Sequence, residues 1–329
     1  MNDSRRINSH PFDQLTPDFV TSAVESTGFV TDGRLLALNS YENRVYQVGI
    51  EDSIPIVAKF YRPGRWSRAA IEEEHAFAWE LANAEIPVVA PSKFNGLTLH
   101  ESAPFLFALY PRQGGRWPEL QSTQDREWMG RFIGRIHAIG RRSRFQQRVR
   151  IDVDTWATAS REYLLDYGWI PDHLLDAYES ISEELIERME QDWALMNASS
   201  LRLHGDCHLG NVLWTDTGPH FVDFDDCMTG PAVQDLWMLV SGAPTERAQQ
   251  LNEMLDGYTQ FASFDRSELA LIEILRTLRL MHYAAWLARR WEDPAFPMAF
   301  PWFGENKFWE QHVLDLREQM AALDEDVLG

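Results

Sequence analysis

The stretch from Leu203 to Asp226, L-H-G-D-C-H-L-G-N-V-L-W-T-D-T-G-P-H-F-V-D-F-D-D, constrains this chain more than any other. It carries three oxygen-bearing side chains at a defined spacing. Asn211 follows Asp206 after four intervening residues, and Asp223 stands behind a Phe221-Val222 pair that reads as a short buried strand. Gly205 and Gly210 let the backbone bend tightly around Asp206.

D-x-x-x-x-N followed by D-F is the spacing used in kinase-type phosphoryl transfer. A transferred phosphoryl group needs positioning and charge neutralisation more than covalent help. Mg²⁺ is a hard ion that takes one or two carboxylates besides nucleotide phosphates, so one Asp and one Asn oxygen suffice. Asp223 is the expected main ligand and Asn211 the second, with Asp206 placed to accept a hydrogen bond from an attacking hydroxyl. A zinc site using His204, His208 and Cys207 or Cys227 is a rival reading of the same residues. Zinc ligands favour a helix face or paired C-x-x-C knuckles, and this stretch has neither.

The H-G-D-x-H-x-G-N-x-L-W element, with V-D-F-D-D and G-P-A-V-Q-D-L-W from Gly230 to Trp237, resembles the aminoglycoside phosphotransferase and choline kinase branch of the protein-kinase-like fold. Three further segments are similar to a stress response kinase family of bacterial Ser/Thr protein kinases within that branch. They are L-N-S-Y-E-N-R-V-Y-Q-V from Leu38, V-A-K-F-Y-R-P from Val57, and A-W-L-A-R-R-W-E-D-P-A-F-P from Ala285. The resemblance implies an α+β, bilobal fold with an antiparallel sheet lobe and a mainly helical lobe. It also implies ATP as co-substrate, Mg²⁺ as cofactor, and transfer of the γ-phosphoryl to protein Ser/Thr hydroxyls in a cytoplasmic stress response, with autophosphorylation among the implied activities.

Composition agrees with a globular enzyme. The 329 residues are 45% hydrophobic, enough for one large or two smaller domains. A formal charge of −20 gives no general basic footprint, so nucleic acid is not an expected partner. Only Cys207 and Cys227 occur, which offers no disulfide framework and fits a reducing cytoplasm. The N-terminal M-N-D-S-R-R-I-N-S-H lacks the apolar run of a signal peptide, and no stretch is long and apolar enough to span a membrane. The chain is expected to act as a monomer.

Residues 16–28 read as a helix opened by Thr16-Pro17 and closed at Gly28. From Thr31 to Phe60 the period shortens to two, giving three antiparallel strands. The turn from Asn39 to Arg44 has no G-x-G-x-x-G; by itself it is an ordinary hairpin, although backbone N–H groups of Ser40 to Asn43 could bind phosphate oxygens. The resemblance makes it the nucleotide loop, with Ser40 and Asn43 as binding residues. Lys59 interrupts the apolar strand Ile56 to Phe60, either as a snorkelling side chain or, as its V-A-K setting, similar to the V-A-I-K strand of kinases, suggests, as the ammonium that grips the α- and β-phosphates. The second role needs a carboxylate. On the helix expected over Ser67 to Ala84, Ile71, Glu74, Ala78 and Leu81 share one stripe while Glu73 points nearly the opposite way. Glu74 is therefore the inward acid, and Glu72 and Glu73 are read as a solvated face.

Phe105 to Tyr110 is a fully apolar strand, and Gly114-Gly115 marks a boundary after it; the resemblance implies a hinge here, at about 108–115, dividing an N-terminal nucleotide-binding lobe, 1–110, from a C-terminal catalytic and substrate lobe, 111–329. Beyond it, Trp128 to Ile139 reads as a helix carrying His137 as a core histidine. Residues from Val153 to Asn197 read as two or more helices with acidic outer faces and no chemistry of their own. Asp235, on a helix from Gln234 to Val240, is expected to hold the catalytic loop's backbone, as the matching family residue does. A helix over 267–292 carries Arg276, Arg279, Arg289 and Arg290, read first as partners for the chain's excess acid and second as acceptor-site groups. The aromatic segment Pro294 to Pro301, with Phe296 and Phe300, closes the helical lobe.

Between Asp223 and Pro231 there is no room for a long activation segment, Asp225 replaces the Gly of D-F-G, and no A-P-E follows. The acceptor class thus stays open from the motifs alone. One competing function is a small-molecule hydroxyl kinase of the choline, homoserine or aminoglycoside type. Another is a nucleotide-binding regulator without catalysis, against which stands the joint presence of Lys59, Asp206, Asn211 and Asp223.

Overall fold

Period-two patterning and a capped first helix produce the sheet layer in the computed structural model, which describes residues 10–196 and 198–324. The N-terminal segment read as lacking a signal peptide lies, up to residue 9, outside the described residues, as does Asn197. Helix α1 (Pro17–Glu25) is capped by Thr16, whose side chain accepts from Phe19 N. Strands β1 (Thr31–Leu38), β2 (Arg44–Ile50) and β3 (Ile56–Phe60) run antiparallel. After helix α2 (Arg68–Asn83), strands β4 (His100–Ser102) and β5 (Phe105–Pro111) complete one sheet in the order β1-β2-β3-β5-β4.

Alternation along β3 decides the site. Ala58 and Phe60 enter the core formed with α1, where Phe60 stacks on Phe107 at 5.2 Å, so Val57 and Lys59 face the other way, into a cavity. On α2, capped by Ser67, Glu74 is buried and turned toward Lys59, as the stripe requires. Glu72 is exposed, but Glu73 departs from the solvated-face expectation. Its carboxylate accepts three backbone N–H groups, from Gln146 at 2.6 Å, Gln147 at 2.8 Å and Arg148 at 3.0 Å. A loop distant in sequence supplied those donors, and one-helix periodicity contains no information about it.

The helical part begins with α3 (Thr123–Gly140), opened by a capping box of Ser122 and Asp125. In the interval read as helical before residue 197, a π-helical turn, Asp154–Thr158, precedes α4 (Ala159–Asp166), and a 3₁₀ turn, Asp172–Leu174, precedes α5 (Leu175–Met196). Short strands then carry the central motif: β6 (Leu201–Leu203) pairs with β9 (Met228–Gly230), and β7 (Val212–Thr215) with β8 (Gly218–Phe221). The helix bearing Asp235, α6 (Gln234–Trp237), is shorter than the expected span. It is followed by α7 (Pro244–Tyr258), α8 (Ile272–Arg290), α9 (Ala295–Ala299) and α10 (Asn306–Ala322). A 3₁₀ turn, Arg266–Leu271, takes up the start of the long helix expected from residue 267. Among the described residues, no helix is long and apolar enough to cross a membrane.

Two features make this body a rigid support. The backbones of α3 and α7 touch through glycines: a Cβ on Gly130 would lie 1.9 Å from Met254 O, and one on Gly257 2.0 Å from Glu127 O. Asp235, 1% exposed, holds the turn after β6. Its Oδ2 accepts from His204 N at 2.8 Å, its Oδ1 accepts from Gly205 N at 2.8 Å, and His137 Nε2 lies 3.0 Å from Oδ2. Gly130→Val should cost about 1–3 kcal/mol through overpacking, read as a lowered urea midpoint. Asp235→Asn puts an amide where two N–H donors need acceptors and should cost roughly 1–3 kcal/mol. An unchanged midpoint would show that the clamp is dispensable.

Candidate active site

Asp206 is presented by the turn that Asp235 holds. Gly205 has φ of 86°, and a side chain there would meet Asp226 O at 2.2 Å, so only glycine fits. Beyond Asp206, a 3₁₀ turn, Leu209–Asn211, brings the amide back. Asn211 Nδ2 donates to the Asp206 carbonyl at 2.9 Å, which leaves Oδ1 as the atom available to a ligand. Asp223 follows β8 with φ 58° and ψ 67°, a left-handed conformation that Asp tolerates better than most residues. The next residue anchors it: Phe224 is buried against His204, with ring centroids 4.5 Å apart.

Asp223 and Asn211 open into a cavity of about 370 Å³ that Ser40, Lys59, Glu74 and Tyr110 also line. Val45, Val57, Ala78 and Leu213 give it apolar walls. Its rim is closed by the chain after β5: Arg116 N donates to Trp214 O at 3.0 Å, and Trp214 N to Arg116 O at 2.8 Å. Such a space, apolar along one side and charged at one end, suits a nucleotide.

Lys59 is the centre of that charged end. Its Nζ lies 2.8 Å from Asp223 Oδ1, 3.1 Å from Asp225 Oδ1 and 3.8 Å from Glu74 Oε1. Burial disfavours the ammonium, but Asp223, Asp225 and Glu74 together hold its pKa well above the ordinary lysine range. Burial raises Glu74 to about 7 despite Lys59. Asp225 is held well below the usual carboxylate range, because Lys59, Arg65 and Arg148 outweigh its burial. The D-F-D-D motif alone assigns no task to Asp225; in the folded chain it fixes Lys59 and binds Arg65.

The oxygen set fits a hard divalent ion. Asp223 keeps its side chain 49% exposed in the cavity, and the Asn211 amide nitrogen is already engaged, so an Asp and an Asn oxygen remain for a metal. Among the described residues no group of three or more His, Cys, Asp or Glu side chains is arranged to hold a metal ion. The zinc arrangement is not formed. His204 Nε2 is spent on Val222 O, His208 Nδ1 on Gly210 N, and both cysteines are buried thiols.

Ser40 lines the cavity, whereas Asn43 does not appear among its walls. Asn43 is 3% exposed and its Oδ1 accepts from Arg62 N at 3.1 Å, so its side chain shapes the loop from behind. The loop is also tied to the helical part. Glu42 accepts from Trp286 Nε1 at 2.6 Å and Arg290 Nε at 2.9 Å, while Asp293 binds Arg44 at 2.9 Å and Arg62 at 2.7 Å. Tyr41 packs on Phe300 at 4.9 Å.

Asp206 faces a second, smaller cleft. Arg279 Nη1 reaches its Oδ1 at 2.7 Å and His208 Nε2 lies 3.4 Å from its Oδ2. Burial opposes ionisation, yet the His208 hydrogen bond and Arg279 hold this carboxyl well below the usual range. Arg279 thus meets the first reading of the α8 arginines, as a partner for an acid, and that acid is Asp206. Trp156, from the interval expected to carry no chemistry, also lines the cleft. No signal in the sequence connects residues this far apart along the chain.

Comparison with known proteins adds lineage to this geometry. Residues 34–272 match the phosphotransferase enzyme family. The chain is 45% identical over 317 residues to stress response kinase A of Escherichia coli strain K12, covering 96% of both chains. It is 42% identical over 321 residues to the serine/threonine protein kinase RdoA of Salmonella typhimurium strain LT2, covering 98% of this chain and 97% of the relative. Its fold is similar to that of the amicoumacin kinase hAmiN, solved in complex with AMP-PNP, Ca²⁺ and Ami. The TM-score is 0.75 at 18% identity, over 94% of this chain and 96% of that one. The match over residues 34–272 and the near-full-length identities together establish that the chain belongs to the phosphotransferase enzyme family, alongside the stress response kinase A proteins, and is an ATP-dependent kinase.

Proposed function

We propose that this kinase transfers the γ-phosphoryl of ATP, with Mg²⁺, to Ser/Thr hydroxyls of a protein acceptor in a bacterial stress response. The observation that carries the acceptor class is the near-full-length identity to a relative bearing the name serine/threonine protein kinase. The gathering of Lys59, Glu74, Asn211 and Asp223 at one cavity, with Asp206 in the neighbouring cleft 3.4 Å from Asn211 Nδ2, supports the reaction. The division into an N-terminal lobe, 1–110, and a C-terminal lobe, 111–329, with a hinge at about 108–115, is part of the same proposal. It is supported by the end of β5 at Pro111 and by a hydrophobic core confined to α1 and the sheet. Two buried free thiols support the cytoplasmic assignment.

In this reading Ser40 and the backbone of its loop cover the phosphates, and Lys59, steered by Glu74, grips the α- and β-phosphates. Asp223 and Asn211 hold Mg²⁺, which when bound neutralises charge on the transferring phosphoryl. Asp206 accepts a hydrogen bond from the acceptor hydroxyl and aims it. His208 and Arg279 keep Asp206 ionised and so able to accept that hydrogen bond, and it takes the proton only as the new O–P bond forms.

The second reading, a small-molecule acceptor, is favoured by the likeness in fold to the amicoumacin kinase. Incubation with γ-labelled ATP, Mg²⁺ and a generic acceptor protein separates the two. Label on Ser or Thr supports the first, and ATP consumption stimulated only by small alcohols or amines supports the second. Asp206→Ala should leave nucleotide affinity within about twofold and lower turnover by about 10²–10⁴-fold. Full turnover in that variant would mean that Asp206 does not aim the acceptor hydroxyl. Asp223→Ala should lose turnover together with metal-dependent nucleotide binding, read by titration calorimetry with and without Mg²⁺.

A further inference from the structure

The cleft beside Asp206 does not end at the reaction point. Its near part, about 180 Å³, meets Asp206 and Arg279, and a far part of about 200 Å³ leads on to Trp66, Arg289 and Arg290. Trp156, Met228 and His282 line both parts, so they form one groove longer than a single hydroxyl compound needs.

Charge in this groove is distributed in an unexpected way for a chain of formal charge −20. Each carboxylate lining it already has an arginine: Glu42 has Arg290 at 2.9 Å, Asp206 has Arg279 at 2.7 Å, and Asp226 has Arg65. An ammonium entering the groove would have to displace a guanidinium. Donors, by contrast, are in surplus. Among the described residues Arg289 has one hydrogen-bond partner, Ala159 O at 3.0 Å, and otherwise lies over the Tyr163 ring at 4.7 Å. Two buried ring nitrogens of groove residues, Trp66 Nε1 and His282 Nδ1, have no hydrogen-bond partner among the described residues. His282 is stacked on Trp156 with centroids 4.7 Å apart, and its burial, reinforced by the surrounding arginines, lowers its pKa to about 4. At neutral pH it adds a flat uncharged wall. Guanidinium and indole N–H groups beside aromatic faces recognise carboxylate and phosphate oxygens, with charge-assisted hydrogen bonds among the stronger ones.

We propose that this groove is a docking subsite for anionic side chains flanking the phosphorylated residue, so that the acceptor is a Ser/Thr in an acidic peptide segment. This rests on the protein-acceptor reading and gives it a specificity. The amine-bearing acceptors of related small-molecule kinases call for the opposite lining.

The test uses the full chain with Mg-ATP and matched acceptors. One set consists of Ser peptides differing only in flanks, Asp/Glu, phosphoserine or Lys/Arg; the other pairs glycerate with ethanolamine. The Asp/Glu peptide should exceed the Lys/Arg peptide in kcat/KM by about tenfold or more, the scale of one charge-assisted contact. Arg289→Glu should erase or invert that preference while leaving the KM for ATP unchanged. Anisotropy of a labelled acidic peptide reads binding without turnover, and a melting temperature checks that the variant folds. Equal use of both flanks, or preference for Lys/Arg, overturns the proposal, as does an acidic preference that Arg289→Glu leaves intact. If only phosphoserine flanks are favoured, the anionic subsite stands with phosphate as its ligand. If peptides are inert and small hydroxyl compounds react, the protein-acceptor reading fails, and preference for glycerate or ethanolamine then decides the groove separately.

Discussion

One ammonium organises this molecule. Lys59 comes from the middle of the sheet, Glu74 from the helix packed over it, and Asp223 and Asp225 from the segment after β8, so a single buried charge joins three parts of the chain. Buried charges are costly to desolvate and endure only where partners are close and fixed. Arg65 and Arg148 extend the cluster, with Arg148 donating to Cys227 O at 2.9 Å and lying over Trp66 at 3.9 Å. The cluster leaves Asp223 half exposed on the cavity side, so a carboxylate that is open to the cavity is also steadied by the lysine.

Much of this was legible in the sequence because it is written in local period. Alternation along β3 determines which face Lys59 occupies, and the 100° turn of a helix singles out Glu74 among three consecutive glutamates. The spacing of Asp206 and Asn211 implies a tight turn, and the turn is there. Asp235 could be placed by resemblance, though its hydrogen bonds to two successive N–H groups are known only from the fold.

What period cannot express is the meeting of distant segments. Glu73 has the same helical neighbours as any solvated glutamate, yet a loop more than seventy residues away gives it three donors. Arg279 is one of four arginines on a single helix, and nothing in its neighbourhood along the chain marks it as the one that reaches Asp206. Asn43 shows the converse. It belongs to the right loop by position, but its side chain is consumed by Arg62 N, and Ser40 is left at the cavity wall.

The ion pairs of Glu42 and Asp293 have a mechanical consequence. Both link the turn from Asn39 to Arg44, or the residues beside it, to the end of α8 and the residues just after it. That turn therefore cannot lift away from the helical side without breaking contacts that are also the wall of the groove beside Asp206. Movement of the turn at the larger cavity and reshaping of the groove beside Asp206 become a single event, and whatever loosens one entrance loosens the other.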